Sequence, residues 1–270
     1  MYERVPETEE EKRLRERIRQ LAFQHKRYGC RRVRVMLRRE GWKVNKKRVH
    51  RIWKEERLQV PRKRRRRRSV GVKGEVVPKA LYRNHVWTYD FIEDRTVTGS
   101  RLRILAVLDE YTRECLAVEV ARSFDAMKVV RCLEWLFLTE GTPEHIRSDN
   151  GPEFVAKVVR EWIRKNGSKT LYIEPGSPWE NGYMESFFGK FRDECLNMEI
   201  FRNERDAQVI AENWKRRYNE ERPHSGLGGL TPLEFASRSV SFVSPTASLR
   251  LQDAGLEVEP SNCGWTKNRG

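Results

Sequence analysis

The stretch Val86-Trp87-Thr88-Tyr89-Asp90-Phe91-Ile92 decides the fold. It is β-branched and aromatic, a composition suited to a pleated, half-buried surface, so it predicts a strand. Asp90 interrupts it. A carboxylate amid apolar neighbours is costly unless it is hydrogen-bonded, paired or bound to a cation. Working outward, residues 101–108 and 115–121 read as two further strands with a short link at 109–114, which suggests an antiparallel meander. Residues 125–139 carry Val129, Val130, Leu133, Leu136 and Phe137 at helical spacing, with Ser123 or Asp125 near the cap. A fourth strand at 144–148, a helix at 152–166, a fifth strand at 170–173 and helices at 178–197 and 204–220 complete the pattern. The order βββαβαβα predicts an α/β fold, a mixed five-stranded sheet flanked by helices.

Upstream the texture is different. Residues 1–70 hold 27 Lys and Arg against 9 Glu and no Asp, whereas the other 200 residues hold 28 against 30 acidic ones. The whole excess of positive charge therefore sits in front of the sheet. A cationic domain gains affinity for nucleic acid by releasing counterions condensed on phosphates. Two helices are predicted within residues 7–27 and 30–40, the second ended by Gly41. A third is capped by Asn45, with Val49, Ile52 and Trp53 facing inward. Its other face carries Lys46, Lys47, Arg48, Arg51 and Lys54, the candidate DNA contacts of a small helix-turn-helix-like module. Residues 61–68 read PRKRRRRR. Like charges repel and nothing apolar is buried there, so a linker is expected whose Arg64, Arg65 and Arg66 lie along a phosphate backbone. The expected division is a basic module over 1–60, a basic linker over 61–80, a catalytic core over 81–238 and a poorly ordered tail over 239–270.

Two more carboxylates stand out in the core. Asp149 closes the fourth strand and precedes Asn150-Gly151-Pro152, and ligands of α/β sheets collect beyond the carboxyl ends of strands. Glu185 lies on the helix that follows Ser177-Pro178-Trp179-Glu180, a stretch with capping-box spacing and proline at the first helical position. Met184, Phe187, Phe188, Phe191 and Cys195 form that helix's apolar stripe, with Glu185 at its edge in line with Asn181 and Arg192. Taken singly, each of these two acids has an ordinary explanation as a turn former or an exposed helical residue. Three clustered carboxylates repel one another, however, and divalent cations relieve that conflict.

These residues match a family pattern. Trp87-Thr88-Tyr89-Asp90, Ser148-Asp149-Asn150-Gly151 and Asn181-Gly182-Tyr183-Met184-Glu185-Ser186-Phe187 are followed by Tyr218-Asn219, Arg222-Pro223-His224-Ser225 and Thr231-Pro232. Asp149 and Glu185 have 35 residues between them, and Asp90 and Asp149 have 58. Residues 87–235 resemble the integrase core shared by retroviral integrases and insertion-sequence transposases of the DD(35)E class. The chain looks like the second-frame protein of the third insertion-sequence (IS-three) family, whose leading helical module residues 28–58 resemble. The resemblance implies a ribonuclease-H-like fold. It implies Asp90, Asp149 and Glu185 as catalytic ligands of two Mg²⁺ or Mn²⁺ ions, and cleavage and strand transfer at element ends without a covalent enzyme intermediate. It also implies Arg192, or its rival Lys190, as a DNA contact beside Asn181. The implied partners are element-end and target DNA, further copies of the chain on paired ends, and a first-frame protein, separate or fused by frameshifting. Cys30 and Arg57 depart from the pattern, standing where an aromatic and a glycine are expected.

Other classes are disfavoured. No apolar run approaches the roughly 18–20 residues of a membrane span. Met1-Tyr2-Glu3-Arg4 opens no apolar leader, so a cytoplasmic location at the bacterial nucleoid and no membrane partner are expected. The five cysteines form no CxxC pair and the five histidines show no metal-ligand spacing. Asp109 and Asp94 are weaker choices for the first ligand. A non-catalytic DNA-binding regulator and a metal nuclease of the same fold are the alternative functions.

Overall fold

The computed structural model describes residues 8–61, 79–148, 153–172 and 182–239. The Arg64, Arg65 and Arg66 run, the expected tail beyond residue 239, Asp149, Asn181 and the expected helix cap at 177–180 lie outside the described residues.

Five strands form one sheet: β1 (Val86–Arg95), β2 (Arg101–Asp109), β3 (Cys115–Ala121), β4 (His145–Ser148) and β5 (Lys169–Tyr172), in the order β3-β2-β1-β4-β5. The first three form the expected antiparallel meander. β4 joins β1 in parallel, and β5 joins β4 in parallel. Strand side chains alternate between faces. Trp87, Tyr89, Leu105 and Val107 bury against helices α4 (Ala126–Glu140) and α5 (Glu153–Lys165) through Val129, Leu133, Val159 and Ile163. Ile104, Ala106 and Leu108 bury on the opposite face. They meet Met184, Phe187 and Phe191 of α6 (Gly182–Phe191) and Ala211, Trp214 and Tyr218 of α7 (Glu204–Glu220). β2, an interior strand between two helical layers, is thus apolar on both faces.

Three helices lead the chain: α1 (Glu9–Gln24), α2 (Cys30–Arg39) and α3 (Lys46–Glu55). Leu14, Ile18, Leu21, Val33, Leu37, Val49, Ile52 and Trp53 form their own core. Asn45 caps α3 as expected, its side chain accepting from the Arg48 amide at 2.7 Å. Helices α2 and α3 end alike. In α2 the Trp42 amide reaches back to the Leu37 carbonyl, with Gly41 at φ 89°. In α3 the Leu58 amide reaches the Trp53 carbonyl, with Arg57 at φ 53°. Both are Schellman endings, which require a left-handed residue. Glycine meets that requirement without strain; Arg57 does not.

Two features of the core differ from expectation. The single helix expected over 178–197 is described from Gly182, and its last turn, Arg192–Leu196, is a π-helix. An eighth helix, α8 (Pro232–Ser239), was not expected. Its start is a capping box: the Glu234 amide donates to Thr231 Oγ1 at 3.1 Å while the Thr231 amide donates to Glu234 Oε2 at 2.7 Å.

Candidate active site

Asp90 sits mid-strand in β1, opposite Ala106 of β2, and is half-buried. Alternation puts it on the sheet face covered by α6, because Tyr89 belongs to the other face. Its Oδ1 accepts the Phe91 amide at 2.6 Å. α6 lies against β1. Met184, Phe187 and Phe191 are buried and fix the helix's rotation about its axis, which leaves Glu185 exposed one position from Met184. Asp90 and Glu185 are therefore carried by two touching elements on one side of the sheet. The parallel ladder pairs Thr88 with Arg147. Ser148, buried, ends β4, and Asp149 is the next residue of the chain.

The other acids of β1 and β2 are occupied differently. Asp109 is fully buried and accepts three hydrogen bonds, from the Thr112 amide at 2.7 Å, the Thr112 hydroxyl at 2.8 Å and the Asn84 amide at 2.8 Å. Such a carboxylate is a turn anchor. Asp94 lies 4.0 Å from Arg192 near the end of β1.

The basic candidates divide. Arg192 donates to the Glu93 carbonyl at 3.0 Å, which ties the end of the Glu185 helix to β1. Lys190 turns the other way, donating to Ser186 Oγ at 2.7 Å. Burial, then the charge of Arg222, pushes its ammonium down to about 8. On α3, Lys46, Lys47 and Lys54 are exposed. Arg48 pairs with Glu10 and Glu11 of α1, and Arg51 with Glu11 and Glu55. The cationic face is thus partly neutralised from within the module.

Two groupings were not visible in the sequence. His85, Glu144 and His145 bring ligand-type atoms within 4.8 Å of one another, although histidine spacing alone suggested no such cluster. They meet because β1 and β4 begin side by side. Asp90 lies five residues further along β1, roughly 16 Å away at strand rise. His85 Nδ1 accepts the Leu81 amide at 3.0 Å and its Nε2 lies 3.9 Å from Glu144, which is an ion-pair geometry. The second grouping joins the leading module to the core: Arg27 to Asp193 at 2.6 Å, Arg32 to Glu194 at 3.0 Å, and Arg222 to both oxygens of Glu194 at 2.7 Å. Both acids belong to the π-helical turn. In the sequence Arg222-Pro223-His224 stands out only as part of a motif set.

A mixed β3-β2-β1-β4-β5 sheet carrying acidic residues on adjoining elements defines a ribonuclease-H-like integrase core. The chain matches the integrase core domain family over residues 82–178 and 166–232, and an HTH-like domain over residues 9–66. It is 38% identical to the insertion element IS407 uncharacterized 31.7 kDa protein of Burkholderia multivorans, over 88% of this chain and 85% of that one. It is also 38% identical to the insertion element IS476 uncharacterized 39.2 kDa protein of Xanthomonas euvesicatoria, over 83% of this chain but 64% of that longer protein. With the putative transposase InsK for insertion sequence element IS150 of Escherichia coli it shares 27% identity over 84% of this chain and 83% of the relative. The chain belongs to the insertion-element transposase family, as its motifs implied.

Proposed function

We propose that this transposase cuts DNA at the ends of its insertion sequence and joins the released 3′-hydroxyl to target DNA, using Asp90, Asp149 and Glu185. The observation that carries this reading is the placement of Asp90 and Glu185 on two touching elements of one sheet face, beside the strand that runs directly into Asp149. The donor set is three carboxylates, all oxygen, which suits a hard cation. These residues would hold two Mg²⁺ or Mn²⁺ ions, which when bound activate an attacking oxygen and stabilise a leaving one on phosphorus. The chain itself supplies placement. The ladders on both sides of β1 fix Asp90, the buried aromatics of α6 fix Glu185, and Arg192 ties the two elements through the Glu93 carbonyl. The carboxylates hold cations and make no bond to phosphorus.

DNA is the proposed partner of Lys46, Lys47 and Lys54 on α3, of Arg48 and Arg51 once displaced from α1, and of Arg64, Arg65, Arg66, Asn181, Lys190 and Arg192. Residues 1–60 form the recognition module, 61–80 the linker and 81–238 the catalytic core. Pairing of two element ends calls for a multimer, with a first-frame protein or frameshift fusion supplying terminal-repeat recognition. Among the described residues no helix is long and apolar enough to cross a membrane, and the proposed place of action is the bacterial nucleoid. In an assay with a labelled element end and a target plasmid, Asp90→Asn abolishes Mg²⁺-dependent cleavage and joining while DNA binding persists. Full activity of that variant would remove Asp90 from the site, and hydrolysis without joining by the wild type would make the protein a nuclease.

A further inference from the structure

A cavity of about 550 Å³ opens between the leading module and the core, where the second helix of the module meets α6, the β2–β3 turn and the segment after α7. Six cations line it, Arg32, Lys79, Arg113, Arg147, Lys190 and Arg222, and no carboxylate does among the described residues. Two acids stand behind the wall. Glu194 pairs with Arg32 and Arg222, and Glu110 lies 3.2 Å from Arg147. Arg113 and Lys190 have no carboxylate of their own among the ion pairs of the described residues.

Their circumstances are costly. Arg113 lies over the Tyr183 ring at 3.6 Å from the centroid, and its Nη1 is buried without a hydrogen-bond partner. Its backbone sits at φ 65°, which a non-glycine residue adopts only when its surroundings hold it there. Burial lowers the Lys190 ammonium, Arg222, Arg32 and Arg113 add repulsion to it, and Glu194 behind the wall offsets only part of this. Gathered like charges with an unsatisfied guanidinium N–H are the arrangement that an anion relieves, through charge-assisted hydrogen bonds to several donors at once. The location narrows the choice. Tyr183, Ser186 and Lys190 line the cavity from the same helix that carries Glu185, and Arg147 precedes Asp149 by two residues.

We propose that this cavity is a phosphate receptor for the DNA strand engaged at the carboxylate site, with Arg113 and Lys190 as its direct contacts and Arg32, from the module, completing its wall. This rests on the DNA reading above and adds a position: a backbone phosphodiester of the bound strand is gripped at the junction of module and core. Strand engagement and module docking then share the Arg32–Glu194–Arg222 arrangement.

The test is the salt dependence of binding to a fluorescein-labelled DNA duplex by the full chain in EDTA, which separates it from metal-dependent chemistry. Each lost phosphate contact lowers the slope of log affinity against log salt by about 1. Arg113→Gln and Lys190→Gln each lower it by that amount, Lys190→Arg restores it, and Arg202→Gln, an exposed arginine paired with Asp206, leaves it unchanged. Thermal melts identify any variant that does not fold, and Lys190→Gln with Lys190→Arg then decides alone. An unchanged slope in the folded cavity variants overturns the proposal, as does an equal fall in Arg202→Gln, which would report net charge and not a site. A melting shift by inorganic phosphate at matched ionic strength, with the DNA slope unmoved, assigns the cavity to a free anion and also overturns it. If the slope is unmoved while the wild type joins DNA in Mg²⁺, only the cavity assignment fails; if the wild type neither binds nor joins DNA, the transposition reading itself fails.

Discussion

Arg32 of the leading module and Arg222 of the core hold the same carboxylate, Glu194, at 3.0 Å and 2.7 Å. Arg222 and Glu194 are almost wholly shielded from water, whereas Arg27 and Asp193, one residue earlier in the π-helical turn, are about a fifth exposed. Breaking a buried pair by removing one partner strands the other charge and costs about 3–5 kcal/mol, while a partly exposed pair contributes about 0–1 kcal/mol. Glu194→Gln therefore lowers the melting temperature by roughly 10 °C, and Asp193→Asn by no more than about 3 °C. Differential scanning calorimetry of the two variants checks this; equal shifts would mean that the module is not anchored through Glu194.

Arg57 occupies the left-handed position of a helix ending whose counterpart in α2 is Gly41. A non-glycine residue there is strained by about 1 kcal/mol, and glycine gives back part of that in unfolded-chain entropy. Arg57→Gly raises stability by about 0.5 kcal/mol in urea unfolding. Gly41→Ala lowers it by a similar or larger amount, since that site is at φ 89°.

Asp109 and Asp90 are separated by function. Asp109→Ala strands two amides and a hydroxyl that now donate to it, and it destabilises the core by about 3 kcal/mol or more. Asp90→Asn changes stability by less than about 1 kcal/mol, because it keeps an oxygen for the Phe91 amide. Chemical denaturation distinguishes them. A large loss at residue 90 with none at 109 would exchange their roles.

His224 is buried against Tyr218, and burial, aided by Arg222 and Lys190, pushes its imidazole down to about 3. A histidine whose folded value lies below the unfolded value of about 6.5 binds its proton more readily in the unfolded chain. Its contribution is therefore intact above pH 6.5 and lost as pH falls below it, by up to about 1.4 kcal/mol per pH unit. Between pH 6.5 and 5.5 the wild type loses about 1 kcal/mol more stability than His224→Gln. Parallel pH profiles for the two proteins would show that the imidazole takes up its proton equally in the folded and the unfolded chain.

Much of this was legible beforehand because the deciding residues sit in strong local patterns. The β-branched run around Asp90 marked a strand with a carboxylate in its middle. Apolar spacing gave the leading helices, and Asn45 and Gly41 marked two of their ends. What escaped depends on tertiary pairing or on short elements. His85 and His145 are far apart in sequence and meet only through the parallel β1–β4 ladder. A five-residue π-helical turn leaves the apolar stripe of α6 looking like ordinary helix up to Cys195. Helix α8 was announced by Thr231-Pro232-Leu233-Glu234, a capping box followed by too few residues to show a period. The cationic cavity draws Arg32, Arg113, Lys190 and Arg222 from four separate parts of the chain, and no single stretch reveals it.

The most direct test of the carboxylate account is a Mn²⁺ titration by calorimetry of the wild-type chain and of Asp149→Asn, with Asp125→Asn, at an exposed helix cap that asparagine also serves, as a folded control of equal charge. Two Mn²⁺ ions per wild-type chain, at least one of them lost in Asp149→Asn and both kept in Asp125→Asn, is the predicted result. Identical Mn²⁺ binding by the wild type and Asp149→Asn would contradict it.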